Sequence, residues 1–133
     1  PLWSLENPPS GKQIQQVLSE HYSCESFVKV MPYQGEGQLR NGNFLEAKLA
    51  NHTNEVQLFV FANDDTHEAL LVARLDNLGK GASGAAVQNM NIMLGLPEEA
   101  GLINHLLSTE QLHTGLILVS HIAPWHNALM VAC

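Results

Sequence analysis

The sequence predicts an α+β domain, with helices packed on a mainly antiparallel or mixed sheet. Three observations carry that expectation. Ile14, Val17, Leu18 and Tyr22 recur at helical spacing near the start. Residues 44–50 alternate Leu45, Ala47 and Leu49 against Glu46 and Lys48, and residues 55–62 return as a second strand-like run. Residues 69–75 are more continuously apolar, as in a strand covered on both faces.

Taken in order, residues 1–9 read as an extended lead-in, because Pro8 and Pro9 exclude helix. Ser10 can cap a helix over residues 11–22. Residues 27–31 form a short strand with Lys29 polar between Val28 and Val30, and residues 32–42, with three glycines, read as a loop. Asn51-His52-Thr53-Asn54 supplies turn chemistry between the strands at 44–50 and 55–62, which are expected to pair as an antiparallel hairpin. Asn63-Asp64-Asp65 turns the chain into the apolar strand at 69–75. A helix over residues 81–94 follows, with small residues on its first turn, Gly95 as its stop and Pro97 beyond.

The chain has 133 residues and a formal charge of −7, enough for one domain or part of a larger one. Apolar residues make up 45% and charged residues 14%, which argues against intrinsic disorder. With two arginines and an acidic balance there is no basic footprint for nucleic acid or an anionic membrane. No apolar run approaches the roughly 18 residues of a membrane span. The opening Pro1-Leu2-Trp3 has neither an initiator Met nor the charged leader of a signal peptide, so the chain is expected to be part of a longer protein. Cys24 and Cys133 are too few for a disulfide framework and are expected to be reduced, with the cytoplasm as the default location.

Gly79-Lys80-Gly81-Ala82-Ser83-Gly84 is a literal G-x-G-x-x-G that follows a predicted strand and opens a helix. Glu98 and Glu99 lie 19 and 20 residues after Gly79, near where a ribose-binding acid sits in a dinucleotide fingerprint. Two details oppose that reading. Asp76 and Asn77 separate the strand from the first glycine and bring a negative charge to the supposed phosphate. Glu98 and Glu99 follow Gly95-Leu96-Pro97 in a loop rather than ending a second parallel strand. A glycine-rich turn packing a helix tightly on a sheet is favoured, with a self-contained nucleotide-binding module as the other reading.

The run from Leu75 to Glu98, LDNLGKGASGAAVQNMNIMLGLPE, resembles the C-terminal segment of N-acetyl-gamma-glutamyl-phosphate reductases, of the semialdehyde-dehydrogenase superfamily. Phe27-Val28-Lys29-Val30 and Asn41-Gly42-Asn43-Phe44 resemble that family's upstream strand and loop in the same order, so the likeness covers residues 10–102. The resemblance implies part of the C-terminal catalytic and dimerisation domain of such an enzyme. It also implies NADPH-dependent reduction of N-acetyl-glutamyl 5-phosphate to N-acetyl-glutamate 5-semialdehyde in arginine biosynthesis. In the family a cysteine thiolate attacks the acyl phosphate, NADPH delivers hydride to the thioester, and a histidine serves as acid and base.

The family's Gly-Cys-Tyr-Pro-type nucleophile motif and its catalytic histidine precede the matched region. No catalytic residue is therefore assigned here: Cys24, beside Glu25, is read as an ordinary cysteine at a helix end, and His21, His52 and His67 as solvated. NADP(H) is expected to bind mainly to a domain that this chain lacks. Gly81, Ala82, Ser83 and Gly84 would be the close-approach positions toward the nicotinamide end, with Asn89 a polar contact. The chain departs from the family at Gly79, commonly Val, and at Ala85, commonly Gln. The superfamily's amide near the nicotinamide carboxamide is thus missing at position 85, and Gln88 and Asn89, one turn on, are the candidates to substitute for it.

Residues 103–133 form a tail of unknown relation, native or non-native, with no Lys or Arg, one acid and four histidines. Leu116-Ile117-Leu118-Val119 suggests a short buried strand. His105, His113, His121, His126 and Cys133 match no common metal-ligand spacing, and no metal is expected. The expected partners are a small-molecule substrate in the full enzyme and further copies in a homo-oligomer, with no nucleic acid and no membrane. A structural or dimerisation module without catalysis is the alternative to an enzyme fragment.

Overall fold

The computed structural model describes residues 1–102 and the backbone of residues 115–121. Helix α1 (Gly11–His21) starts at a reciprocal cap: the Ser10 hydroxyl accepts the Gln13 N–H at 3.3 Å, and the Gln13 side chain accepts the Ser10 N–H at 2.8 Å. The Asp64 carboxylate accepts the Gly11 N–H at 2.8 Å, which ties the helix start to a distant turn. The face turned to the sheet is Gly11, Ile14, Gln15, Leu18 and Tyr22. Val17 lies off that face and is 63% exposed, contrary to the apolar stripe read from the sequence.

Strand β1 (Val28–Val30) runs parallel to β4 (Val56–Asn63), pairing Val28 with Val56 and Val30 with Leu58. β4 pairs antiparallel with β5 (Glu68–Asp76) from Asn63–Glu68 through Val56–Leu75, and β5 pairs antiparallel with β6 (Gly115–His121). The order β1-β4-β5-β6 is a mixed sheet, and with the helices it makes an α+β arrangement. β6 extends beyond both ends of Leu116–Val119, the segment expected to be a strand.

The predicted hairpin between residues 44–50 and 55–62 does not form. β3 (Phe44–Leu45) pairs instead with β2 (Leu39–Arg40), inside the stretch read as loop, and Ala47–Ala50 winds into a 3-10 turn. Arg74 bonds to the segment that takes the hairpin's place. Its side chain is 1% exposed, donates from Nη1 to the Glu46 carbonyl at 3.1 Å and from Nε to Gln57 Oε1 at 2.8 Å, and lies 4.9 Å from the Phe59 ring centroid. The Glu46 carbonyl accepts this guanidinium together with the Leu49 N–H at 3.4 Å, a bond of the 3-10 turn rather than of a strand ladder. Ala50 is buried at the sheet while Leu49 points to solvent, opposite to what alternation implied. Burial lowers the Arg74 pKa, and nearby Glu46 opposes the shift.

The core lies along β4 and β5. Phe59 and Val60, neighbours on opposite faces of β4, are both fully buried, so the sheet is covered on both sides there. Leu2 is buried and donates its N–H to the His67 carbonyl, and Leu5 N–H bonds back to Leu2. The lead-in is therefore a turn anchored at the β4–β5 connection rather than an extended segment.

Candidate functional site

β5 ends on Asp76, a carboxylate 3% exposed. Its Oδ1 accepts the Leu78 N–H at 3.0 Å and its Oδ2 accepts the His52 N–H at 2.8 Å. The chain then makes a π-helical turn (Gly79–Ser83) before α2 (Gly84–Met93). Ser83 N–H bonds to the Leu78 carbonyl at 3.1 Å, Gly84 N–H bonds to the Gly79 carbonyl, and Ser83 Oγ also donates to Leu78 at 2.7 Å. The predicted helix at 81–94 thus begins with one wide turn, and the first N–H groups of α2 already have partners.

The glycines fit an internal need. A Cβ on Gly79 would stand 3.1 Å from Asp76 Oδ2 and 3.2 Å from the Thr53 carbonyl. A Cβ on Gly84 would lie 2.1 Å from Asn54 Oδ1 and 2.9 Å from the Gly79 carbonyl, inside van der Waals contact. Asn54 is 6% exposed; its Nδ2 donates to Gln88 Oε1 at 3.2 Å, and its Oδ1 has no hydrogen-bond donor. Gln88 Oε1 also accepts from Lys80 Nζ, and Gln88 Nε2 donates to Glu98. Lys80 Nζ stands 5.3 Å from the Phe27 ring centroid. Burial lowers its pKa, and Glu98 opposes that shift. Asn91, 2% exposed, donates to the carbonyls of Glu98 at 3.0 Å and Ala100 at 2.8 Å, folding the segment after α2 back along the helix.

His52, Thr53, Asn54, Asp76, Gly79 and Gly84 line an open cleft of about 310 Å³ beside this turn. Of the expected close-approach residues, Gly81, Ala82 and Ser83 are exposed together on the outer side of the turn, whereas Gly84 faces inward and is closed by Asn54. Asn89 is exposed, and its side chain makes no hydrogen bond among the described residues. Gln88 is turned inward: its oxygen accepts from Asn54 and Lys80, and its nitrogen donates one N–H to Glu98. The Asp76 carboxylate occupies the strand-side mouth of the turn, where a pyrophosphate would have to approach a dinucleotide fingerprint.

Asn54 and Asn91 are site residues that the sequence reading missed. Asn54 passed as turn chemistry. Asn91 stands mid-helix, where asparagine is a poor helix former, and that mismatch is the signal of a buried role. Cys24 is a free, exposed thiol beyond the end of α1. Among the described residues no three His, Cys, Asp or Glu side chains group to hold a metal ion, and no helix is long and apolar enough to cross a membrane. His105, His113, His126 and Cys133 lie outside the described residues, and only the backbone of His121 falls within them.

Over 102 residues, 77% of its length, the chain is 66% identical to N-acetyl-gamma-glutamyl-phosphate reductase 2 of Nostoc sp.. This chain is homologous to the N-acetyl-gamma-glutamyl-phosphate reductases. A reductase of the same name from Trichormus variabilis is also 66% identical over 102 residues, and one from Mesorhizobium japonicum is 42% identical over 97 residues. The match covers 32%, 32% and 30% of these relatives, so the chain spans about a third of their length. No family model matches the chain. The relatives' shared name is that of an oxidoreductase. The link from this α+β arrangement to the semialdehyde-dehydrogenase C-terminal domain rests on homology.

Proposed function

We propose that the chain is the C-terminal part of an NADPH-dependent N-acetyl-gamma-glutamyl-phosphate reductase of arginine biosynthesis, and that alone it does not turn over. The observation that carries this reading is 66% identity across 102 residues of reductases about three times as long as the match. Residues 1–102 are the reductase portion on this reading, and residues 103–133 are an addition to it. The full enzyme would be a cytoplasmic homo-oligomer acting on a small acyl phosphate.

NADP(H), when bound mainly by the part of the enzyme outside this chain, supplies the hydride. This chain's contribution is positional. Exposed Gly81, Ala82 and Ser83 present a surface with almost no side chain, to which a flat ring can come close, and exposed Asn89 offers an uncommitted amide. Asn54, Gln88 and Lys80 fix the turn from behind. Asp76 makes the strand side of the turn unsuited to phosphate, so the neutral end of the cofactor is the part that fits beside it.

A domain exchange tests the proposal. The Nostoc reductase with its matched 102 residues replaced by those of this chain is expected to retain NADPH-dependent reduction of N-acetyl-glutamyl 5-phosphate, while the 133-residue chain alone shows none. A folded chimera without activity, or turnover by the isolated chain, overturns it.

A further inference from the structure

We propose that Asn41 is a self-modification site, where the loop between β2 and β3 converts its own side-chain amide to aspartate or isoaspartate with water as the only co-reactant. Of the chain's eleven asparagines, Asn41 alone is followed by glycine. β2 and β3 are two residues each, pairing Leu39 with Leu45 and Arg40 with Phe44, and residues 41–43 close them. Asn41 has φ 53° and Gly42 φ 75°, left-handed values suited to a tight loop, and both residues are exposed.

The reaction needs a free nucleophile, room for a ring and a backbone able to move. The nitrogen after an asparagine lies within five-membered-ring reach of its side-chain carbon, and glycine puts no side chain in the way. A Cβ on Gly42 would meet nothing within 4 Å, so the surroundings are open. The Gly42 N–H reaches the Leu39 carbonyl only at 3.4 Å, and the Asn43 N–H reaches the Arg40 carbonyl at 3.3 Å, both longer than usual. A loop held by such bonds and by two-residue strands opens at little cost. Other asparagines lack this combination. Asn54 and Asn91 are buried, and Asn63 Oδ1 accepts the Asp65 and Thr66 N–H groups. Asn43 is exposed in the same loop, but Phe44 follows it.

The Gly42 nitrogen gives up its proton and bonds to Asn41 Cγ. The Cγ–Nδ2 bond breaks, and Nδ2 leaves as ammonia with that proton, so nothing is oxidised or reduced. Water then opens the cyclic imide. Breaking the new bond gives aspartate, whereas breaking the original peptide bond leaves the chain running through the side chain, as isoaspartate with one more backbone atom. Either product places a carboxylate beside Arg40, whose Nη1 is paired with Glu46 Oε2 at 2.9 Å, and competes for it. The extra atom of isoaspartate also breaks the Arg40–Phe44 register that the loop length sets.

The test is incubation of the 133-residue chain in mildly alkaline buffer, followed by digestion and fragmentation mass spectrometry that separates Asn41 from Asn43. Asn41 is expected to gain about one dalton, OH for NH2, before any other asparagine. Asn41→Gln, which keeps an amide but would have to close a six-membered ring, should stay unconverted. Amide hydrogen exchange over residues 39–45 should be faster in the converted chain, because the pairing is lost. Asn41 intact in the folded chain, while the urea-unfolded chain converts, would mean that the loop protects it, and overturns the proposal. So does conversion of Asn43 or of the Gln variant at the same rate. Unchanged exchange over 39–45 after conversion overturns the loss of pairing.

Discussion

At the level of single residues, the turn after β5 is held by polar groups that leave little tolerance. Gly84 has no room for a methyl group between Asn54 Oδ1 and the Gly79 carbonyl. Gly84→Ala is expected to cost about 3 kcal/mol of unfolding free energy in a urea titration. Trimming Asn54 as well should restore only part of it, since the backbone carbonyl remains. Lys80 gives a pH signature. Burial holds its pKa below the ordinary 10.5, so the folded chain releases this proton at lower pH than the unfolded chain does. Stability attributable to the group is then lowest below the folded pKa and rises toward 10.5. As the pH rises through the folded pKa toward that value, the wild type should gain on Lys80→Met in paired urea titrations. A difference between the two that does not vary with pH would contradict the burial of the ammonium.

At the level of elements, what could be read in advance followed from local chemistry. The α1 cap was legible in Ser10, although the answering Gln13 was not read, and Ser10→Ala should cost about 1 kcal/mol. Gly11 was not singled out, because its demand comes from two other elements: a Cβ there would meet Ala62 at 2.4 Å and the Tyr33 hydroxyl at 2.5 Å. Gly11→Ala should therefore cost more than the lost cap, and comparing the two melting temperatures checks the order. The segment at 44–50 misled for the same kind of reason. Its alternation was real, but the Glu46 carbonyl bonds to a buried guanidinium 28 residues away and to the Leu49 N–H of a 3-10 turn, contacts that alternation does not encode. In the site, the exposed small residues were visible as a pattern, whereas Asn54 and Asn91 act through contacts 34 and 7 residues distant.

At the level of the whole molecule, β6 covers the outer edge of β5 along seven paired residues, from Leu70–His121 to Asp76–Gly115. An uncovered edge of that length is a template for further strands. A chain ending at Leu102 is thus expected to self-associate through β5, seen as a concentration-dependent mass in sedimentation, and a strictly monomeric truncation would refute this.

The wide turn at Gly79–Ser83 has a further consequence, which is one of rotation. A helix advances about 100° per residue, so the number of residues spent in that turn sets the angle at which every later side chain of α2 emerges. Deleting Ala82 would let the turn close with ordinary helical bonds and would swing Gln88 and Asn91 away from Asn54 and the 98–100 carbonyls. Met90 and Met93 would be carried round with them. One residue of apparent slack thus decides which side of the helix looks inward and which looks outward.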